Sequence, residues 1–210
     1  MNWSRKEAIH KANQYEQIRT EITLLKSQIS PHFIFNTLNN IYSLASDKSE
    51  DTETAILKLS QLLRYIIYDS SADKISLSKE IEYLQNYIDL QKLRLSERHL
   101  SLIYFKIVGD CTGIVIPPLL TIPLVENAFK YGIGQGRAHI EITLHIQSPK
   151  LIFRVRNEKL NLRQDFFPEA SGIGLKNLER RIQLLQNPKN QLAIYEDHHF
   201  FEALLTLDIL

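Results

Sequence analysis

Apolar residues near the start of the chain recur at intervals of three and four positions. They are Tyr15, Ile18, Ile22, Leu25 and Ile29, with charged residues between them. This spacing predicts one long helix from about Arg5 to Ser30, and it is typical of a short coiled-coil seam between two chains. An amphipathic helix lying on a folded domain would give the same pattern, so both interpretations stay open.

A proline interrupts this pattern, and two further helices follow it. Pro31 either begins a new helix with Ser30 as its N-cap or kinks a continuing one. One apolar stripe covers residues 33–45 and a second lies between about Thr54 and Tyr68, with a polar segment between them. This order predicts an antiparallel helical hairpin. Because two helices cannot enclose a core, the simplest solution is a homodimer in which two hairpins form a four-helix bundle.

The second half of the chain changes character. A third helix, from about Ser78 to Leu93, is expected to link the hairpin to this half. Beyond it, alternating apolar residues predict strands at 100–108, 138–147, 150–157, 191–196 and 200–209, with helices at 118–131 and 175–186. Helices combined with mostly antiparallel strands predict an α+β fold, in which a layered α/β domain follows the helices. The predicted domains are a signalling coiled coil at 1–30, helices at 31–97 and the α/β domain at 98–210.

Composition excludes some classes of function. The 210 residues carry a net charge of +1, which gives no electrostatic reason to expect direct nucleic-acid binding. Cys111 is the single cysteine, so neither an intrachain disulfide nor a cysteine metal site is expected. The first residues lack the apolar run of a signal peptide, and the longest apolar stretch, 114–125, is too short to span a membrane. We therefore expect a soluble chain, and whether a membrane sensor precedes Met1 stays open.

One histidine has a special setting. His32 follows Pro31 at the helix break, where a kink can hold the ring in a defined orientation near the surface. A neutral imidazole is a competent nucleophile at cellular pH, because its unperturbed pKa is about 6.5. The alternative is a surface or core-edge histidine without chemistry.

A second candidate group lies on the helix predicted at 118–131. Asn127, Lys130 and Tyr131 fall within one turn, on one side. An amide oxygen can ligate Mg²⁺ and a lysine can meet a phosphate, while the adjacent Glu126 could order a water or help the metal. The alternative is a plain helix with a polar exposed face.

A third candidate is a short glycine loop that runs into the last predicted helix. Gly172 and Gly174 lie on either side of Ile173, and Leu175 follows. Such loops present backbone N–H groups and a helix N-terminus to phosphate. A glycine turn without a ligand is the alternative.

Together, and in this order, the three stretches resemble the LytS-like sensor histidine kinases. The matching segments are Pro-His-Phe-Ile-Phe-Asn-Thr-Leu-Asn at 31–39, Leu-Val-Glu-Asn-Ala at 124–128 with a trailing Lys-x-Gly, and Gly-Ile-Gly-Leu-Lys-Asn at 172–177. Segments 77–84 and 91–94 resemble the connecting helix of that family. The resemblance therefore runs over nearly the whole chain from Leu25.

The resemblance implies a dimerisation and histidine-phosphotransfer bundle followed by an ATP-binding domain of the Bergerat (GHKL) type. It implies His32 as the phosphoacceptor, Asn127 as the ligand of Mg²⁺ and phosphates with Glu126 beside it, and Lys130 as a phosphate contact. Tyr131 would line the nucleotide pocket, Gly172, Gly174 and Leu175 would hold the phosphates, and residues 158–171 would form the ATP lid.

Two positions depart from the family pattern. Asn157 stands where relatives usually have the aspartate of an Asp-x-Gly box, whose carboxylate accepts a hydrogen bond from adenine. An amide oxygen can also accept this bond, but without charge the contact should be weaker. Phe33 stands where many histidine kinases have an acidic residue after the histidine, so the general base is unassigned, with Glu126 or a residue on the bundle as candidates.

The function implied is ATP- and Mg²⁺-dependent autophosphorylation of His32, followed by transfer to an aspartate of a response regulator, often one with a LytTR DNA-binding domain. The expected place is the cytoplasm, with membrane contact only through a sensor segment outside this chain. Two alternatives stay open: a non-catalytic or weakly ATP-binding dimeric scaffold, and an ATPase that does not phosphorylate itself.

Overall fold

The computed structural model describes residues 31–95, 102–134, 137–159 and 173–209, all within the unit Pro31–Leu210. The predicted coiled coil at 1–30, Gly172 and the predicted lid beyond Lys159 lie outside the described residues. The side chains of Pro31 and His32 also lie outside the description, although their backbone begins the first helix.

Two helices form the predicted hairpin. Helix α1 spans Pro31–Ser46 and helix α2 spans Asp51–Ile67, and the two helices contact each other. The short turn at 47–50 leaves them adjacent in space. One side of α1 packs inward through Phe33 and Thr37, whereas Phe35, Leu38 and Tyr42 are exposed.

The third helix is central to the core. A two-residue strand, β1 (Ile75–Ser76), leads into helix α3 (Leu77–Lys92), whose N-cap Ser76 accepts a hydrogen bond from the backbone N–H of Lys79. Eight of its sixteen side chains are buried, which is more than we expect for a helix that is covered on one side only. Helix α3 contacts α2 and the helix that precedes the central strands of the sheet.

The remaining elements alternate between strands and helices. In chain order they are β2 (Ile103–Val108), β3 (Val115–Ile116), α4 (Ile122–Tyr131), β4 (Ile133–Gly134), β5 (Arg137–Ala138), β6 (Ile140–Gln147), β7 (Lys150–Glu158), α5 (Ile173–Leu184), β8 (Gln191–Glu196) and β9 (Phe200–Asp208). Two short antiparallel pairs, β1 with β3 and β4 with β5, were not predicted from the pattern.

A five-stranded mixed sheet has the order β2-β6-β7-β9-β8. Strands β2 and β6 are parallel, and the other three pairs are antiparallel. Burial alternates along β7 and β9 with a period of two, so one face of the sheet is covered and the other is more open. Helix α4 contacts β6 and β7, and α5 contacts β8. The α+β prediction is confirmed, whereas the predicted division at 97/98 stays a prediction.

One predicted helix boundary was wrong. The pattern indicated a helix from Pro118, but α4 begins at Ile122 with Thr121 as its N-cap. Leu119 has a φ of 57°, in the left-handed region, which ends any helical path through this segment. The preceding backbone is hydrogen-bonded instead to two buried side chains, those of Glu80 and Arg181.

Among the described residues, no helix is both long and apolar enough to cross a membrane.

Candidate functional site

Asn157 is a fully buried polar residue near the end of β7. Its side chain is 0% exposed, and its Nδ2 donates a hydrogen bond to the carbonyl oxygen of Glu158 at 3.1 Å. Its Oδ1 accepts no hydrogen bond from any described residue. A buried acceptor without a donor costs about 1–3 kcal/mol, so such atoms are uncommon in folded chains. This atom therefore marks a position suited to a hydrogen-bond donor of a ligand.

The end of α4 lies directly against Asn157. Gly132 closes the helix by donating its N–H to the carbonyl oxygen of Ala128 at 2.7 Å. A Cβ at Gly132 would lie 2.6 Å from that oxygen and 2.9 Å from the Cβ of Asn157. Only glycine permits this approach without movement of the backbone. Gly132 thus places the last turn of α4 beside the unsatisfied amide oxygen.

The last turns of α4 carry three predicted site residues. Asn127 and Tyr131 are half-buried and Lys130 is exposed, with Lys130 Nζ 5.1 Å from the centroid of the Tyr131 ring. Positions 127, 130 and 131 share one side of a helix, as their spacing predicts. An amide, an ammonium and an aromatic ring are therefore grouped at the same helix end that packs against Asn157.

Helix α5 supplies the described part of the glycine box. Gly174 and Leu175 lie in the first turn of this helix rather than in a loop before it. Gly174 is exposed, and an added Cβ would meet no heavy atom within 4 Å among the described ranges. Helices α4 and α5 contact each other, so the glycine box begins a helix that packs on the helix carrying the predicted phosphate ligands.

Glu126 lies near two tyrosines of α3. It is half-buried, and burial raises the pKa of its carboxyl group from 4.5 to about 7. The pKa values of Tyr83 and Tyr87 on α3 are raised, first by burial and then by the nearby charge of Glu126. Glu126 therefore lies close to α3, and because it precedes Lys130 by four positions on α4, the two residues share one side of that helix.

Three aromatic rings connect the segment beside His32 to α4. The ring centroids of Phe33 and Tyr87 are 4.6 Å apart, and Tyr87 meets Phe129 edge-on at 6.0 Å. Phe33 is 7% exposed, so the first turn of α1 is fixed against the core. Since Phe33 follows His32 in the chain, the phosphoacceptor candidate begins a helix that is anchored next to α3.

Two residues with no predicted role are prominent in the structure. Glu80 is 0% exposed and Arg181 is 6% exposed, and both bind the loop before α4. The sequence contained a signal for Glu80, because it lies three residues after Leu77 and four before Leu84, on the apolar stripe of α3. For Arg181, which lies next to the buried Ile182, only the tertiary structure shows the role.

Comparison with known proteins defines the class. Residues 20–99 match the family described as histidine kinase. Sensor protein LytS of Staphylococcus saprophyticus is 29% identical over 199 residues, covering 89% of this chain and 33% of the relative. Sensor histidine kinase YpdA of Escherichia coli K12 is 31% identical over 196 residues, which cover 84% of this chain and 33% of that relative. The chain thus belongs to the histidine kinase family.

Within that family, the chain groups with the LytS-like sensor histidine kinases, as its three motifs indicate. It spans about a third of the length of the curated relatives that it matches. Among solved structures, histidine kinase AdeS of Acinetobacter baumannii aligns with 92% of this chain and 97% of its own at a TM-score of 0.44 and 13% identity.

Proposed function

We propose that this chain is the ATP-dependent kinase core of a sensor histidine kinase, with His32 as the phosphoacceptor. The observation that carries the proposal is the buried Oδ1 of Asn157 beside the end of α4, which accepts no hydrogen bond from the part of the chain that the structure describes. In a scaffold that bound no nucleotide, an apolar side chain at this position would avoid a cost of about 1–3 kcal/mol. Retention of the amide is therefore better explained by a ligand than by folding.

The chemistry of Asn157 favours adenine. Its Nδ2 is occupied by the carbonyl oxygen of Glu158, so the remaining atom is an acceptor. An acceptor matches the 6-amino group of adenine and opposes the 6-oxo group of guanine. The departure from aspartate thus keeps the hydrogen-bonding role while removing its charge.

The phosphate side of the site would be formed by α4 and α5. The amide oxygen of Asn127 would hold Mg²⁺, and Lys130 would neutralise phosphate charge. Gly172, Gly174 and Leu175 would offer backbone N–H groups at the start of α5. Tyr131 would line the pocket. When bound, the Mg²⁺–ATP complex supplies the electrophilic γ-phosphorus.

His32 would attack that phosphorus through a neutral ring nitrogen, forming an N–P bond as the bond to the ADP oxygen breaks. The ring then gives up a proton to a base. Glu126 is the candidate base, supported by its nearness to Tyr87, which also contacts Phe33 next to His32. The phosphoryl group would then pass to an aspartate of a response regulator.

A second copy of the chain would cover the open face of the hairpin. Phe35, Leu38 and Tyr42 lie on one side of α1 and are 66%, 48% and 76% exposed. On α2, Ile56 and Ile67 are 53% and 62% exposed. A continuous exposed apolar face of this kind marks an interaction surface, and its helical spacing fits the predicted homodimeric bundle.

Leu38→Asp tests the dimer. We expect wild type to be a dimer at micromolar concentration in light scattering and the variant to be a monomer, because the new charge would be buried at the interface. Asn39→Asp, on the neighbouring exposed position, is the matched control and should stay dimeric. A monomeric wild type would contradict the homodimer.

Phosphorylation with γ-labelled ATP and Mg²⁺ tests the kinase. We expect acid-labile, base-stable label on wild type and on the control His145→Gln, whose imidazole is exposed on β6. His32→Gln should carry none. Hydrolysis of ATP without label on wild type would instead favour the ATPase alternative. The absence of both label and ATP binding would favour the scaffold alternative.

A further inference from the structure

The loop before α4 is held between two buried charged side chains from different elements. Glu80 belongs to α3 and is 0% exposed, and Arg181 belongs to α5 and is 6% exposed. Charges are rarely buried unless they are paired and hydrogen-bonded, because desolvation costs several kcal/mol per ion. The hydrogen-bond partners of Glu80 and Arg181 therefore indicate the role of these two buried charges.

Glu80 binds the loop from one side. Its carboxylate accepts the N–H of Leu119 at 3.0 Å, the N–H of Thr121 at 3.2 Å and the hydroxyl of Thr121 at 2.6 Å. The hydroxyl of Tyr65, on α2, donates to the same carboxylate. All four donors come from outside α3, so Glu80 joins three parts of the chain.

Arg181 binds the loop from the other side. Its Nη1 donates to the carbonyl oxygen of Leu119 at 2.7 Å and its Nη2 to that of Pro118 at 2.6 Å. Burial lowers the pKa of its guanidinium, and the negative charge of Glu80 acts in the opposite direction. The two side chains thus bind two N–H groups and two C=O groups of the same loop.

These hydrogen bonds hold both backbone groups of Leu119, which explains its unusual conformation. A leucine at a φ of 57° is strained by about 1–2 kcal/mol. The strained conformation persists because the surrounding hydrogen bonds over-determine it. Thr121, the last residue of the loop, is also the N-cap of α4. A shift of the loop would therefore move α4 as a rigid element, together with Asn127 and Lys130.

We propose that Glu80, Tyr65 and Arg181 are positioning residues that fix α4 relative to the helical hairpin, so that the hairpin sets the affinity of the site on α4 for ATP. The identity of the ligand as ATP rests on the proposed function, whereas the hydrogen-bonded connection from α2 to the loop before α4 does not. Tyr65 is its most informative member, because it belongs to α2 and contributes a single hydroxyl to the network.

Tyr65→Phe in the full chain tests the proposal, since it deletes only that hydroxyl. Tyr68→Phe, three residues on and 71% exposed, is the matched control. We expect Tyr65→Phe to weaken ATP binding about fivefold by calorimetry, within the usual range of coupling between sites. Amide hydrogen exchange in residues 117–131 should accelerate in the same variant. Tyr68→Phe should match wild type in both measurements.

Arg181→Lys provides a second variant from the other side of the loop. Lysine cannot serve both carbonyl oxygens with a fixed fork, so exchange in residues 117–131 should again accelerate. If Tyr65→Phe lowers the melting temperature but leaves that exchange as in wild type, the network is structural only and the proposal is wrong. If exchange accelerates while wild type binds no ATP, the connection holds and the proposed function fails.

Discussion

Two fully buried polar side chains of this protein have opposite surroundings. Glu80 and Asn157 are both 0% exposed. The Glu80 carboxylate accepts four hydrogen bonds from Tyr65, Leu119 and Thr121, whereas Oδ1 of Asn157 accepts none from the described residues. Equal burial therefore does not mean an equal role: the described residues satisfy the Glu80 carboxylate, whereas they supply no donor to Oδ1 of Asn157.

The residues around Glu80 and around Asn157 differ in the same way. The surroundings of Glu80 include strained backbone and a second buried charge, which are costs that only a satisfied network can offset. The surroundings of Asn157 include Gly132, where the missing side chain leaves room for close packing. A satisfied site and an unsatisfied one should respond differently to substitution, and the following changes test that difference.

Glu80→Gln should have the largest effect on stability. The Glu80 carboxylate accepts from four donors, whereas a glutamine amide offers one acceptor oxygen and one NH₂ donor group. At least one buried donor would therefore lose its partner, and Arg181 would lose the nearby negative charge. We expect a loss of about 3 kcal/mol in the free energy of unfolding, measured with urea. Glu82→Gln, on an exposed position of the same helix, should change it by less than about 0.5 kcal/mol. Equal effects of the two variants would contradict the role of the network.

The effect of Glu126→Gln on the free energy of unfolding should depend on pH. The folded chain binds the Glu126 proton more tightly than the unfolded chain, because burial raises the pKa from 4.5 to about 7. Wild type should therefore lose stability relative to the variant as the pH rises from about 4.5 to about 7, and the variant should be about 3 kcal/mol more stable at pH 8. Urea unfolding without Mg²⁺ at pH 4.5 and pH 8 measures this. A difference that is the same at both pH values would show that Glu126 is well solvated.

Thr121→Val should have a smaller effect than Glu80→Gln. It removes the 2.6 Å hydroxyl contact and leaves Glu80 with three donors. We expect a loss of about 1 kcal/mol, the usual net worth of one hydrogen bond, by the same urea measurement. A loss as large as that of Glu80→Gln would indicate that the hydroxyl alone holds the loop.

Asn157→Leu should have the smallest effect on stability and a large effect on binding. The change removes one hydrogen bond, that to Glu158, but also removes the unsatisfied acceptor. We expect the free energy of unfolding to change by less than about 1 kcal/mol, while ATP affinity falls at least about tenfold. Calorimetry with ATP and with GTP checks this, since GTP should bind weakly to wild type. Unchanged ATP affinity would remove the adenine role of Asn157.

Periodicity predicted the helices and strands better than their boundaries. The hairpin of α1 and α2, helix α3 and the strand pairs β6–β7 and β8–β9 follow the predicted order. The pattern failed at 118–121, because an apolar run with prolines indicates a helix start, whereas Leu119 adopts a left-handed backbone fixed by distant residues. The short pairs β1–β3 and β4–β5 were missed because two residues carry no measurable period.

The sequence alone determined the order of elements, the family and the candidate residues, because helix and strand periods and short motifs are local properties of the chain. His32 at a proline, the Asn127–Tyr131 side of α4 and the glycine box were all visible in this way. The tertiary structure alone decided which polar groups are satisfied. Glu80 and Arg181 meet the loop from 39 and 62 positions away along the chain, and no described residue donates to Oδ1 of Asn157. Hydrogen bonding inside a core depends on which distant groups reach each atom, and no local pattern encodes that.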